Sequence, residues 1–358
     1  MTDVRADTSE ALEAARAQVG RAYAARTPLC LAGGGSKAFY GRAVSGEPLS
    51  LAGHRGLIDY EPSELVLTAR AGTPLRDVEN ALAAHAQMLA FEPPHFGAGA
   101  TLGGTIACGL SGPRRPHAGS VRDFVLGTRI LNGKGELLSF GGRVMKNVAG
   151  YDLARLMAAA LGTLGVLVDV SLKVLPRPET ERTLRLTLPL EQALAQCRAW
   201  AATPLPISAT LYHDGALSVR LSGAESAVRQ AALRIGGEPV ADDAAFWLSV
   251  REHTHPFFST TAPLWRVSLP PAAPPPALRG EWLYEWGGAL RWLRGEQAAD
   301  DVRGAAKAAG GAATLFRHGD RDAVFQPLDA ALFDLHRRLK QALDPARILN
   351  PGRLYRDL

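Results

Sequence analysis

Two glycine-rich segments hold the residues whose type and spacing are best suited to chemistry. The first is Ala32-Gly33-Gly34-Gly35-Ser36-Lys37. The second runs Gly97-Ala98-Gly99-Ala100-Thr101-Leu102-Gly103-Gly104, with Ser111-Gly112-Pro113-Arg114-Arg115 close behind it. Without a Cβ, successive glycines let neighbouring backbone N–H groups converge on an anion and form the concavity that a phosphate fills. One such loop suits one phosphate. Two of them point to an elongated, doubly charged ligand gripped at several places, which is the chemistry of a dinucleotide.

Other reactive side chains are scattered. Cys30, Cys108 and Cys197 stand alone, so no Cys-x-x-Cys metal or iron–sulfur site can be built from this chain. Cys108 follows the second loop and reads as a small buried filler. His253 and His255 would share one face of an extended segment, but no adjacent Asp, Glu or His run completes a metal site, and they read as a loop pair. No metal is expected.

The glycine loops need elements to position them, and the first half supplies strands and helices in alternation. Glu10 to Arg26 reads as an amphipathic helix with Leu12, Ala15, Val19 and Ala22 inward. Leu29-Cys30-Leu31 is a short strand feeding the first loop. Leu65 to Ala71 is another strand, after which Thr73 caps a helix with Pro74 in its first turn and Leu75, Val78 and Leu82 buried. Val125–Leu131 and Glu136–Phe140 form a hairpin about Asn132-Gly133-Lys134-Gly135. A helix from about Asp152 to Leu161 ends at Gly162. Val166 to Val174 alternates apolar with polar residues, the pattern of a half-buried strand. All six tryptophans fall between residues 200 and 292, marking a second domain of interleaved strands and helices with a mainly antiparallel sheet. In the tail, Leu328, Leu332, Leu335, Leu339 and Leu343 make a helical stripe expected to bury against the first domain, followed by Asn350-Pro351-Gly352.

At 358 residues, with 47% hydrophobic and 21% charged content, the chain has room for two domains. Its net charge of +5 comes mostly from dispersed arginines, with no basic run interleaved with aromatics. That excludes an extended nucleic-acid surface and suits an anionic cofactor or a carboxylate substrate. The longest apolar run, Leu156 to Val168, is too short to span a bilayer, and the N-terminus has no signal-type apolar region. The chain reads as soluble.

Two familiar phosphate motifs are excluded. A P-loop needs Gly-Lys-Ser/Thr, whereas Ser36-Lys37 is reversed. A Gly-x-Gly-x-x-Gly fingerprint starting at Gly97 meets Leu102 where its third glycine belongs. The ordered set of Ala32–Ser36 with Tyr40-Gly41, Thr101–Ala107, Ser111–Arg114, Gly119–Gly127, Lys146–Asp152, Gly162–Val166 and Asn350–Gly352 resembles instead the FAD-binding domain of the vanillyl-alcohol oxidase / p-cresol methylhydroxylase superfamily. The resemblance spans roughly residues 20–178 and 326–358, about half the chain. Within that superfamily the short second domain and the tail are most similar to the FAD-binding E subunits of glycolate oxidases.

That resemblance implies an α+β architecture. A p-cresol methylhydroxylase-type two-part FAD-binding domain would occupy residues 1–178, a short α+β cap with a mainly antiparallel sheet residues 179–325, and a tail returning to the FAD domain residues 326–358. It implies FAD, held without a covalent bond because Gly35 and Ser36 stand where covalent relatives carry a histidine. Gly33, Gly34, Gly35 and Ser36 would cradle the pyrophosphate, with Lys37 adding charge. Gly103, Gly104 and Thr105 would line the other side, Ser111, Gly119, Ser120 and Asp123 would approach the flavin, and Gly162, Thr163, Gly165 and Val166 would abut the adenosine or flavin. Asn350 belongs to the same set. Catalytic relatives carry a histidine-rich cap motif, of which Arg317-His318-Gly319-Asp320 retains a fragment. His318 is therefore the candidate base and Arg317 the candidate carboxylate clamp, although the segment reads more readily as a surface strand end.

The implied activity is oxidation of glycolate, a 2-hydroxy acid, to glyoxylate. The implied partners are a larger homologous flavoprotein subunit and an iron–sulfur subunit, with the complex in the cytoplasm or, through those partners, at the inner-membrane surface. Two other readings stay open: a self-sufficient FAD-linked D-2-hydroxy-acid dehydrogenase, and a structural flavoprotein subunit whose flavin is idle.

Overall fold

Apolar spacing dictates the first element. In the computed structural model, which describes residues 9–142 and 152–358, α1 (Glu10–Ala25) buries Leu12, Ala15, Val19 and Ala22, and Ser9 caps it by accepting from the Leu12 amide. The short strand β1 (Leu29–Ala32) follows and pairs in parallel with β2 (Glu47–Ser50). Next come β3 (Leu57–Glu61), β4 (Val66–Arg70), α2 (Leu75–Ala83), the two-residue β5 (Gln87–Met88), α3 (Leu102–Cys108) and the one-turn helices α4 (Arg115–Ala118) and α5 (Val121–Phe124). The hairpin β6 (Val125–Leu131) and β7 (Leu137–Gly141), the single turn α6 (Leu153–Leu156), β8 (Val166–Lys173) and β9 (Leu175–Pro176) complete this half. Its main sheet is antiparallel, in the order β3-β4-β8-β6-β7. On it pack α2 and α3 through Leu75, Val78, Leu82, Leu102 and Ile106.

The second half consists of β10 (Thr180–Thr187), α7 (Leu190–Ala201), β11 (Ile207–His213), β12 (Ala216–Gly223), α8 (Glu225–Ile235), β13 (Glu238–Pro239), α9 (Asp243–Arg251), β14 (Leu264–Ser268), β15 (Glu281–Glu285), β16 (Leu290–Arg294), α10 (Ala299–Ala308) and β17 (Ala312–Arg317). Its eight strands form one antiparallel sheet in the order β13-β10-β12-β11-β15-β16-β14-β17. Last comes α11 (Ala330–Leu343). Among the described residues, no helix is long and apolar enough to cross a membrane.

Four local expectations change. Thr73 does not cap α2, because its hydroxyl bonds the Arg70 carbonyl at 2.7 Å and accepts from the Gly56 amide at 2.9 Å. The start of α2 is tied to the second glycine loop, with the Leu75 amide on Ala100 O and the Leu102 amide on Thr73 O. The helix expected over 152–161 is a single turn. Ala159 and Leu161 take left-handed conformations, and their amides bond the Ile106 and Ala107 carbonyls of α3, a tertiary pairing that overrides local propensity. Strand β8 is buried on both faces rather than one. Its Asp169 sits between Arg129 and His54, and its Ser171 bonds Thr68, so polar residues enter the interior in pairs. The segment Lys146–Tyr151 lies outside the described residues.

The fourth change concerns the tail. The leucine stripe buries only in part: Leu332 and Leu335 are each 45% exposed, Leu343 packs against the core of the main sheet, and Lys340 is the one fully buried residue of α11. The Lys340 ammonium donates to Asp344 and to the Thr163 and Leu349 carbonyls, each at 2.7 Å. Asp344 in turn accepts from the Ile348 and Leu349 amides. Beyond this knot, Ile348 and Leu349 join the core made by α1, β1 and β2. A charged clamp, more than the leucine stripe, attaches the tail. Asp344→Ala leaves a buried ammonium unpaired and should cost on the order of 3–5 kcal/mol. Leu335→Ser, on the exposed face, should stay within about 1 kcal/mol. Denaturant unfolding of the two variants checks this, and equal midpoints would contradict it.

Candidate cofactor groove

The first glycine loop leaves β1 and runs directly against the second. A Cβ built on Gly34 would lie 1.4 Å from the Gly99 carbonyl oxygen, and one on Gly33 would lie 2.5 Å from Thr101 Oγ1. No side chain fits at either position, so these glycines permit backbone to pass backbone. Gly35 is different: its φ is +76°, and a Cβ there meets nothing within 4 Å. Among the described residues, the amides of Gly34, Gly35, Ser36 and Lys37 make no hydrogen bond. Four successive unbonded donors beside open space form an anion-binding concavity.

A groove opens over this loop, enclosing about 1060 Å³ with its mouth included, ample for a dinucleotide. Gly33, Gly34, Gly35, Ser36, Lys37, Gly103, Gly104, Gly162, Gly165, Val166 and Asn350 all line it, so eleven of the expected cofactor residues converge here. Leu49, Leu51, Ala107 and Leu167 supply apolar wall. Lys37 is buried and donates to the His95 carbonyl at 3.2 Å, with no carboxylate in ion-pair range among the described residues. Burial holds its pKa below the ordinary lysine value. A buried cation without a carboxylate partner fits an anionic ligand. The residues present therefore fit a dinucleotide diphosphate.

The second loop contributes shape rather than donors. Thr101 caps α3, and the amides of Gly103, Gly104 and Thr105 are already bonded to Ala71 O, Thr101 Oγ1 and Thr101 O. Gly103 is needed because a Cβ would lie 2.7 Å from that of Ala71. Thr105 does not line the groove; its hydroxyl is buried with no partner among the described residues. Asn350 is committed to structure, accepting from the Leu31 amide and donating to the Leu161 carbonyl, both at 2.7 Å. It holds two groove walls together.

The remaining expected residues lie elsewhere. Ser120 and Asp123 form the capping box of α5, with the carboxylate accepting from the Ser120 amide and hydroxyl, and Gly119 makes the turn before it at φ +108°. Thr163 bonds the Ala160 carbonyl. Ser111 lines a separate, smaller cavity between the two halves and accepts from the Val121 amide. His318 is exposed one residue beyond β17, at φ +58°, and lines neither the groove nor that cavity. With Arg317 and Phe39 it lines a third hollow at the end of β17. Arg317 has its guanidinium over the rings of Phe39 and Phe96, at 4.2 and 4.7 Å.

Near these sites Arg353, which the sequence reading passed over, and Cys108 and His253, which it weighed as a filler and a loop residue, take definite places. Arg353 lines the groove and bonds the carbonyls of Ala38, Tyr40 and Arg42, bracing the loop after Lys37. Its place directly after Asn350-Pro351-Gly352 was the available signal. Cys108 also lines the groove, and burial pushes its thiol up to about 11, which keeps it protonated and unreactive. His253 is no bland loop residue. Its ring stacks on Phe258 at 3.9 Å within a box that includes Phe96, Trp292 and Phe316.

Comparison with known proteins supplies the cofactor and the lineage. Residues 4–141 match the family described as FAD binding domain, and residues 293–354 match FAD linked oxidases, C-terminal domain. The chain is 52% identical over 341 residues to glycolate oxidase subunit GlcE of Escherichia coli (strain K12), covering 95% of this chain and 96% of that one. It is 35% identical over 165 residues to a D-2-hydroxyglutarate dehydrogenase of Xanthomonas citri pv. viticola, covering 46% of this chain and 34% of that one. Among solved structures, an alkyldihydroxyacetonephosphate synthase superposes with a TM-score of 0.65 at 15% identity, over 95% of this chain and 74% of that one, a likeness of fold. A groove fitted to a diphosphate, the FAD-binding match and near full-length similarity converge on one assignment: the chain belongs to the FAD-linked oxidases, in the family of the glycolate oxidase E subunits.

Proposed function

We propose that this chain is the FAD-binding subunit of a multi-subunit glycolate oxidase or dehydrogenase, working with a larger homologous flavoprotein subunit and an iron–sulfur subunit to convert glycolate to glyoxylate. The observation that carries the reading is the run of unbonded amides from Gly34 to Lys37 at the mouth of a dinucleotide-sized groove. Full-length similarity to a glycolate oxidase subunit supports it. When bound, FAD supplies the two-electron acceptor and the link to an onward carrier.

The chain's own residues divide the work. Gly34, Gly35, Ser36 and Lys37 hold the pyrophosphate by backbone donors and one charge. Gly103, Gly104, Gly162, Gly165 and Val166 give close, featureless walls. On this reading residues 1–178 and 326–358 build the flavin domain, and 179–325 close over it as the cap. The complex works in the cytoplasm, at the inner-membrane surface where its partners reach it.

Gly35→Asp should fold, since its Cβ meets open space and Asp tolerates a left-handed backbone, but its carboxylate would face the pyrophosphate and flavin should be lost. Absorbance of the purified variant near 450 nm, about the flavin maximum, reads this directly, and normal flavin content would move the cofactor elsewhere. In the wild type, acid precipitation should leave yellow flavin in the supernatant, because among the described residues no histidine lines the groove and the Cys108 thiol is held protonated. A yellow pellet would mean a covalent bond.

The isolated, FAD-loaded chain should turn glycolate over slowly, since His318 stands exposed outside both the groove and the cavity and a missing general base typically costs ~10²–10⁴-fold. Brisk turnover should require co-expression with the partner subunits. Full activity of the single chain with an artificial acceptor would replace this reading with the self-sufficient dehydrogenase.

A further inference from the structure

The cavity between the two halves carries charge that the fold does not use. It encloses about 340 Å³ with its opening included, the scale of a small ligand site. Ser111, His253, Arg266, Glu285, Trp292 and Phe316 are among the residues lining it. Arg266 projects from β14 over the ring of Trp286 at 5.3 Å, and Arg115 lies over the same ring at 4.6 Å. The Trp286 indole donates to Gly112 O, so this stack joins the cap to the segment after α3. Among the described residues, the Arg266 guanidinium makes no hydrogen bond and no ion pair.

Two acids reach it electrostatically: the buried Tyr40 phenol, which burial pushes up to about 12 and so keeps un-ionised, and Glu285, which is already bonded to the Trp292 indole at 2.7 Å with its carboxyl pushed up by burial to about 7. Neither is a full counter-charge. His253 Nδ1 is buried with no partner among the described residues. Burial and the positive fields of Arg317 and Arg266 hold that imidazole neutral. A guanidinium fork lacking an acceptor beside a neutral imidazole lacking a partner is complementary to one carboxylate and one hydroxyl.

We propose that this cavity seats the small 2-hydroxy acid on this chain, with Arg266 taking the carboxylate and His253 pairing with the hydroxyl. The inference rests on the glycolate-oxidase reading and deepens it, because it puts substrate binding on this subunit and not only on a partner. The size of the cavity favours a small acid. An imidazole held well below its ordinary range bonds a hydroxyl yet takes its proton reluctantly, which agrees with slow turnover by the isolated chain.

Ligand-detected NMR titration of the full FAD-loaded chain with glycolate and with acetate tests the two contacts separately. Arg266→Met should weaken both ligands by about 10- to 100-fold, the range for a charged hydrogen-bonding group, and Arg266→Lys should recover part of that loss. His253→Phe should weaken glycolate and leave acetate unchanged, since acetate has no hydroxyl. If Arg266→Met fails to fold, the lysine and phenylalanine variants carry the test. Equal glycolate affinity in wild type, Arg266→Lys and His253→Phe overturns the proposal. In the assembled complex, an unchanged glycolate KM with Arg266→Met refutes the cavity and leaves the subunit reading intact. A wild-type complex that does not oxidise glycolate refutes the reading itself.

Discussion

Gly34 and Gly99 pass each other so closely that a methyl group on the first would overlap the carbonyl of the second. The ladder of β1 and β2 ends just before that contact, at Ala32 and Ser50, and among the described residues the amides of Gly34 to Lys37 are left unbonded. Everything the groove can do follows from this. Unbonded amides cost stability wherever water cannot reach them, and here they are tolerated because the groove is open to it. The second loop is the buttress: its amides are consumed by Ala71 and Thr101, and its hydrogen bonds to the start of α2 fix its height against the main sheet.

The tail works in the same direction from the far side. Lys340 and Asp344 neutralise each other in the interior, and the chain then runs beside β1, with Asn350 bonding both Leu31 and Leu161. A buried ion pair contributes little net stability but is costly to break. Its role here is placement, since it sets where Ile348, Leu349 and Asn350 meet the first strand. With Leu332 and Leu335 exposed, α11 adds mainly Leu343 to this attachment.

Much of the architecture was legible because it is written in local patterns. The helical stripe of α1, the strand feeding the first loop and the hairpin at Asn132–Gly135 all appear where periodicity and turn residues place them. The misreadings share one cause, which is tertiary bonding that spacing does not encode. Ala159 and Leu161 abandon a helix to bond the end of α3, and Asp169 enters a buried strand because Arg129 and His54 receive it. In the groove, glycine positions were readable but their division of labour was not: Gly34 and Gly103 make room for backbone and side chain, whereas Gly35 borders open space. Arg266 carried no motif, and His253 read as half of a loop pair, because the aromatic box around its ring and its unpartnered Nδ1 are tertiary features.

The central claim is that the first loop's unbonded amides hold the FAD pyrophosphate while the second loop only shapes the groove. Hydrogen–deuterium exchange on the full chain with and without FAD tests it most directly. The account predicts that the amides of Gly34, Gly35, Ser36 and Lys37 exchange quickly in the apoprotein and slow sharply with FAD, whereas those of Gly103 to Thr105 are protected in both states. Protection gained at 103–105 with no change at 34–37 would contradict it.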